Sequence, residues 1–278
     1  MSRNLSIGFT VDTYKNLTPS QIIKALNYLG VEFVEISRSV FGDLPGVARR
    51  LGSMRTAFHL PLIHDDGWDL SCVDFAKEIK EFIIALNAAK SVLNIQHIIA
   101  HPPEPYLSDG PATTSTDFLF TNLSKIELPI YFENVSGMSP NDHVTLLHRA
   151  QTVLGRQVHG LCLDMPHLYI DGYDPLQIFL QQQPKIGCLH LSDCNAHQDL
   201  HLPFGGEGHL PIKKILETIR RAHFSGYITL EIKPQSLQDL RAFIQSYLLV
   251  LRYLNLKKYL ITQIGYTLFF SIVKRMIG

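Results

Sequence analysis

One pattern recurs along this chain and leaves few folds open to it: a short, mostly apolar run followed by a stretch with apolar residues at helical spacing. The runs Leu5 to Thr10, Glu32 to Ser37, Met54 to His59, His97 to His101, Pro129 to Glu133, Gly160 to Asp164, Ile186 to Leu191 and Tyr227 to Glu231 read as strands. The stretches Thr18 to Tyr28, Leu44 to Leu51, Val73 to Ala89, Thr116 to Leu123, Asn141 to Leu154, Pro175 to Gln182, Ile212 to His223 and Leu237 to Leu254 read as helices. Phe75, Ile79, Phe82, Ile83 and Leu86 make one apolar stripe along the third helix. Thr18-Pro-Ser-Gln opens the first helix and Gly30 closes it, with proline inside the first turn and glycine past the last. Runs such as His-Ile-Ile-Ala and Tyr-Ile-Thr-Leu follow no strict alternation, as expected of parallel strands covered on both faces. Eight such units in about 250 residues predict a (β/α)8 TIM barrel in a single α/β domain. An open doubly wound sheet is the alternative, but no GxGxxG loop follows the first strand. Residues 1–254 are expected to form the barrel and residues 255–278 an apolar helical extension.

Composition narrows the partners. With 46% hydrophobic residues in 278 the chain can bury a large core, and 25 basic residues balance 25 acidic ones. The chain as a whole therefore lacks the electrostatic footprint of a duplex-DNA binder. Cys72, Cys162, Cys188 and Cys194 show no CxxC spacing, which predicts reduced core thiols rather than disulfides. Met1 is followed by polar residues and a strand rather than a charged and apolar leader, so a cytoplasmic location is expected.

The chemistry gathers at the strand ends, where a barrel of this kind builds its active site. Those ends carry Glu35, His59, His101, Glu133, Asp164 with His167, His190, and Glu231; the first strand offers nothing obvious. The segment Ile186 to Pro211 is the richest. A strand delivers His190, a polar loop follows with Asp199-Leu-His201, and Gly206-Glu207-Gly208 leads into a helix. A single strand-end histidine or carboxylate is often only hydrogen-bonded or capping the next helix. Such groups at six consecutive strands are hard to obtain from packing alone, and imidazole with carboxylate suits Zn, Mn or Fe.

With these residues in hand, the chain resembles the xylose-isomerase-like TIM barrels from its first strand to about Leu254. That group includes sugar isomerases and epimerases and the endonuclease IV type of apurinic-site nuclease. The resemblance implies a single-ion set on Glu133, Asp164, His190 and Glu231. The nuclease-like members add five ligands, which here match His59 in His-Leu-Pro, His101 in His-Pro-Pro, His167 in Asp-Met-Pro-His, and Asp199 with His201 in Asp-Leu-His. It also implies Glu133, Asp164 and Glu231 as catalytic residues. Glu35 and Asn134, the latter within a similar Glu-Asn-Val-Ser-Gly, are expected to bind substrate, and Trp68, the sole tryptophan, to stack on it. A second reading of Trp68 is an anchor for the following helix.

Nine ligands exceed what one ion uses, and paired ions clamp the attacking and leaving oxygens of a phosphoryl displacement. The expected function is thus hydrolysis of a small phosphodiester or phosphoester with one to three divalent ions, cobamide-remodelling phosphodiesterases being one candidate. The alternative is a sugar or sugar-phosphate isomerase or epimerase using one ion; an apurinic-site endonuclease and a non-catalytic ligand-binding barrel rank below. Asp65, Asp66 and Asp69 follow His59, and carboxylates there would repel a nucleic-acid backbone, so a small, phosphorylated substrate is expected. Tyr259 to Val273 is uncharged yet short for a bilayer span, which leaves packing on the barrel, a homodimer contact or a membrane-surface helix for the tail.

Overall fold

Eight parallel strands pair in sequence order, and the eighth returns to the first to close the barrel. They are β1 (Leu5–Val11), β2 (Phe33–Ile36), β3 (Arg55–His59), β4 (Ile95–Ala100), β5 (Ile130–Glu133), β6 (Val158–Asp164), β7 (Ile186–Leu191) and β8 (Gly226–Leu230). The structure is a computed structural model that describes residues 5–14, 17–103, 113–195, 197–206, 208–233 and 240–277, with backbone only for Leu240 and residues 268–277. Helices α1 (Pro19–Tyr28), α2 (Leu44–Leu51), α3 (Ile63–Asp66), α4 (Ala76–Ala89) and α5 (Thr116–Leu123) follow the first four strands. Then come α6 (Pro140–Leu154), α7 (Met165–Ile170), α8 (Pro175–Gln182), α9 (Ile212–Arg221), α10 (Leu240–Leu254) and α11 (Leu256–Ile277).

Local chemistry sets the helix starts. Thr18 accepts from Gln21 N while the Gln21 side chain accepts from Thr18 N, a complete capping box at α1. Asp43, Ser115, Ser139, Asp164 and Asp174 cap α2, α5, α6, α7 and α8 in turn. Two short helices, α3 and α7, escape the hydrophobic pattern because four and six residues are too few to show a period. The helix expected from Val73 begins as a 3-10 turn, Val73–Phe75, before α4. The first residues of the helix expected from Leu237 lie outside the described residues.

The pleat explains both the missing alternation and the site. Side chains two apart on a strand share a face, and one of each pair climbs from the barrel floor to its rim. Thus Ala57 leads to His59, Ile99 to His101, Tyr131 to Glu133, Cys162 to Asp164, Cys188 to His190 and Thr229 to Glu231. Ile99, Cys162 and Cys188 pack together inside the barrel with Tyr131 and Tyr227 against them, and His97 stacks on Phe33 and tilts against Tyr227 beneath. Outward residues such as Phe58, Ile98, Phe132 and Leu189 meet the helices in the main core. All four cysteines are free and buried.

The tail crosses the end opposite the site. Lys258 pairs with Glu32 at 2.8 Å, and Asn255 and Lys258 line a small cavity with Leu5, Phe33 and Arg55 at the strands' starting ends. No helix among the described residues is long and apolar enough to cross a membrane.

Candidate metal centre

Glu133, the last residue of β5, is the pivot of the rim. Its Oε2 lies 3.1 Å from His101 Nε2, 3.2 Å from His190 Nδ1 and 3.6 Å from His59 Nε2. Two ligand-grade sets meet there: His59, His101 and Glu133 on one side, and Glu133, Asp164, His190 and Glu231 on the other, each within 4.8 Å among its own donor atoms. Asp199 stands next to them, its Oδ2 3.4 Å from His167 Nε2 and 3.3 Å from His201 Nε2. His167 joins it to the others, with Nδ1 3.3 Å from Asp164 Oδ1. The expected ligands are thus all at one end of the barrel: His59, His101, Glu133, His167, Asp199, His201 and Glu231 line one cavity of about 250 Å³, and Asp164 and His190 are buried beside them.

The imidazoles are oriented before any ion arrives. His59 Nδ1 donates to Leu60 O at 3.1 Å, and His167 Nδ1 donates to Asn134 O at 2.8 Å. His190 Nε2 donates to Glu35 Oε2 at 3.1 Å; a carboxylate only accepts, so the proton sits on Nε2. In each ring the other nitrogen then turns toward carboxylate oxygens. His190 Nδ1 faces Glu133 Oε2 and, at 3.3 Å, Glu231 Oε1, with no hydrogen bond to either. A lone pair there would be repelled by the two carboxylate oxygens, so Nδ1 needs either a proton or a cation between it and them. The residues therefore fit a divalent ion, and outward N–H bonds of this kind are how proteins orient metal-binding histidines.

Protonation in the ion-free chain follows from the same geometry. Burial opposes charge on His190, but Cys162, Glu133, Glu231 and Glu35 around it hold its pKa well above the ordinary range. Burial likewise opposes charge on His59, yet the bond to Glu133 and the neighbouring carboxylates raise it to about 9. His101 and His201 go the other way, lowered chiefly by burial. Glu133 is held well below its usual range by His190 and His101 despite burial. Asp164 is pushed up by burial and by Asp199, Glu133 and Glu231, against the opposing pull of His167. Protons thus stand in for cations among buried carboxylates that could not otherwise remain together.

The loop after β7 is built to place Asp199 and His201. Asp193 and Leu202 exchange two backbone hydrogen bonds of 2.8 Å. Asp193 Oδ1 also accepts from Cys194 N and Leu210 N, both at 3.0 Å. A Cβ at Gly208 would come within 1.9 Å of the Asp193 carboxyl, so only glycine lets the chain pass. His201 itself takes a left-handed backbone, φ 47°, a conformation a non-glycine residue holds only where its surroundings impose it. Glu207, singled out from the sequence, lies outside the described residues.

Three expected substrate contacts turn out to have other partners. Glu35 is buried: its Oε2 accepts from His190 Nε2 and from Thr229 Oγ1, so it orients a ligand, and it also lies within 4.8 Å of ligand atoms of His59 and Glu231. Asn134 is buried too, donating to Asp164 O at 3.0 Å and accepting from Asp164 N at 2.8 Å; it ties the ends of β5 and β6 together. Trp68 packs edge-on against Phe82 of α4 beneath the Arg38 guanidinium, as an anchor and not a stacking platform. The acidic run also divides. Asp69 turns inward to Ser71, Asp66 pairs with Arg38 at 2.7 Å, and Asp65 lines the cavity mouth. Thr10, Asp12, Tyr14, Ser37 and Lys233 line the cavity as well. The first strand does contribute, through the hydroxyl of Thr10 and, just past its end, the Asp12 carboxylate and the Tyr14 phenol. Cys162, read as a plain core thiol, comes within 4.8 Å of Glu133 and His190.

A closed parallel barrel with imidazoles and carboxylates converging at its carboxyl rim defines a class of TIM barrel. The chain belongs to the xylose isomerase-like TIM barrel family, whose model matches residues 21–247. Among solved structures it is similar to 3-keto-D-glucoside 4-epimerase from E. coli, with 15% identity, a TM-score of 0.63, and coverage of 88% of this chain and 98% of that one. It is similar to an AP endonuclease, family 2, from Brucella melitensis, at 12% identity and TM-score 0.63, covering 84% and 94%. It also resembles D-allulose 3-epimerase from Methylomonas sp. in complex with D-allulose, at 13% identity and TM-score 0.60, covering 87% and 90%. At such identities the likeness establishes the fold alone. No curated protein matches the sequence.

Proposed function

We propose that this chain is a divalent-metal-dependent enzyme that hydrolyses a small phosphoester at a site holding more than one ion. The observation that carries the reading is the sharing of Glu133 between two ligand sets, with Asp199 beside His167 and His201, and His167 beside Asp164. Ions held there would supply Lewis acidity, polarising phosphoryl oxygens and making water nucleophilic near neutral pH. The chain's own part is orientation. Glu35 keeps His190 in one tautomer, Leu60 O and Asn134 O do the same for His59 and His167, and Asn134 fixes the backbone of Asp164. Asp164 and Glu231, which share a ligand set with Glu133, would then position the attacking oxygen and its target.

A sugar or sugar-phosphate epimerase is the second reading, and two observations favour it. The set Glu133, Asp164, His190 and Glu231 is complete without the others, and epimerases predominate among the similar structures named above. In that case Glu133 and Glu231 would exchange a carbon-bound proton across a single ion. The remaining His59, His101, His167, Asp199 and His201 would then have no evident task. The ligand in either reading is a small molecule; Asp65 at the mouth and the chain's zero net charge disfavour a nucleic-acid backbone.

The test is a metal count coupled to two assays on the full chain reconstituted with Zn or Mn. Elemental analysis is expected to find two or three ions per chain, and bis(4-nitrophenyl) phosphate is expected to release nitrophenol. One ion per chain, with deuterium from solvent entering D-fructose and no phosphoester cleavage, would establish the epimerase instead.

A further inference from the structure

Two hydroxyls at the carboxyl end of β1 are buried without an evident task. Thr10 Oγ1 and the Tyr14 phenol are shut from solvent, and neither has a hydrogen-bond partner among the described residues. A buried hydroxyl left unpaired is destabilising, and chains that keep one usually have a reason outside the folded structure itself. Both residues line the cavity over the ligand sets, and Tyr14 also lines a lateral cavity of about 650 Å³ bounded by Ser37, Arg38 and Asp65. Tyr14 therefore stands where the two spaces meet. Its backbone is pinned there by paired bonds with Leu17 of 3.1 and 2.7 Å. Burial, and then Asp12, Glu231, Glu35 and Asp65, hold the phenol well above its usual range, so it keeps its proton. Asp12 and Asp65 on the same wall cannot donate to an anion and would repel it.

We propose that Tyr14 is a substrate-binding residue, its O–H donating to an oxygen of the bound phosphoester where the two cavities meet. The proposal rests on the hydrolase reading above. It gives the first strand a role, and it makes the lateral cavity the place for the part of the substrate beyond the phosphorus.

Tyr14→Phe tests it, because the change removes one oxygen and nothing else. With the full chain loaded with Zn or Mn, kcat/KM for bis(4-nitrophenyl) phosphate is expected to fall by about tenfold to a hundredfold, as for loss of a hydrogen bond to a charged acceptor. The melting temperature of the ion-free chain is expected to stay level or rise, since an unsatisfied hydroxyl has gone. Unchanged kcat/KM in Tyr14→Phe beside an active wild type overturns the proposal alone. A lowered ion-free melting temperature also overturns it, because the hydroxyl would then have a structural partner. A wild-type chain that binds its ions but does not cleave the diester overturns the hydrolase reading first, and this proposal with it.

Discussion

His59 and His101 are the residues whose replacement separates the two enzymatic readings most cleanly. Both belong to the ligand set that a single-ion epimerase would not need, both approach Glu133, and neither is among Glu133, Asp164, His190 and Glu231. His59→Ala with His101→Ala is expected to lower bound metal by at least one ion per chain and abolish phosphodiester cleavage, as measured by elemental analysis and nitrophenol release. The set Glu133, Asp164, His190 and Glu231 should keep its ion. Unchanged stoichiometry would favour the epimerase. The same scale shows how far a sequence can be read. Ligand types at strand ends are legible because imidazole and carboxylate are rare choices there, and Asp199 and His201 show through the spacing of two residues that lets a loop present both. Glu35 carries the same chemical signature yet accepts from His190 Nε2 and orients that ring. Residue type does not say which way a carboxylate turns, and neither Asn134 nor Trp68 can be placed from composition. Tyr14 escapes for a different reason: a tyrosine three residues past a strand is unremarkable until its oxygen is found buried and unpaired among the described residues.

At the scale of elements, α6 is tied directly to the strand that carries the pivot. His143 is buried on α6, and its Nε2 donates to Phe132 O at 2.8 Å, one residue before Glu133. Burial lowers its pKa from 6.5 to about 4, so the folded chain holds it neutral while the unfolded chain protonates it as pH falls below 6.5. The unfolded state binds the extra proton, so stability is lost as pH drops from 6.5, and this contribution levels off near pH 4. Its full size is about 3 kcal/mol. His143→Gln keeps an N–H donor and removes the titration. Urea unfolding of the ion-free chain at pH 7 and pH 4.5 should show a smaller acid loss in the variant than in the wild type, by up to that amount. An equal loss in both would mean the histidine is not held neutral in the fold. The helices and strands themselves are largely legible, since α2, α5, α8 and β7 have the bounds that periodicity and caps predict. Departures cluster where an element is shorter than its own period, as at α3 and α7, or where a strand starts before the glycine that marks its apolar run, as at β6 with Val158 and His159.

For the whole molecule, closure of the barrel leaves α11 as a long element with no place in the repeat. α10 already completes the eighth unit: Phe243 stacks on Phe9 of β1 with centroids 3.9 Å apart, and Tyr247 and Leu251 are fully buried. α11 adds Tyr259 and Tyr266 packed on that core, a buried Thr262 and the Lys258–Glu32 pair. Its other side shows Leu256, Leu260 and Ile264 at helical spacing, beside Ile261, all more than half exposed. The sequence marks this tail as apolar but leaves its position open, because one apolar stripe can face a core, a second copy or a lipid surface equally well. Truncation after Asn255 therefore makes a sharp test. α11 meets the barrel only at its periphery, so the shortened chain is expected to fold, with a melting temperature lowered by about 2–4 °C for each kcal/mol that this packing supplies. Association is what it should lose, since the exposed row goes with the helix. Sedimentation of the two chains, alone and with anionic lipid vesicles, reads this directly, and a difference confined to the vesicle sample would assign the row to a membrane surface rather than a second copy. A truncated chain that fails to fold would instead make α11 part of the barrel's own closure, sealing the strands' starting ends where Lys258 meets Glu32.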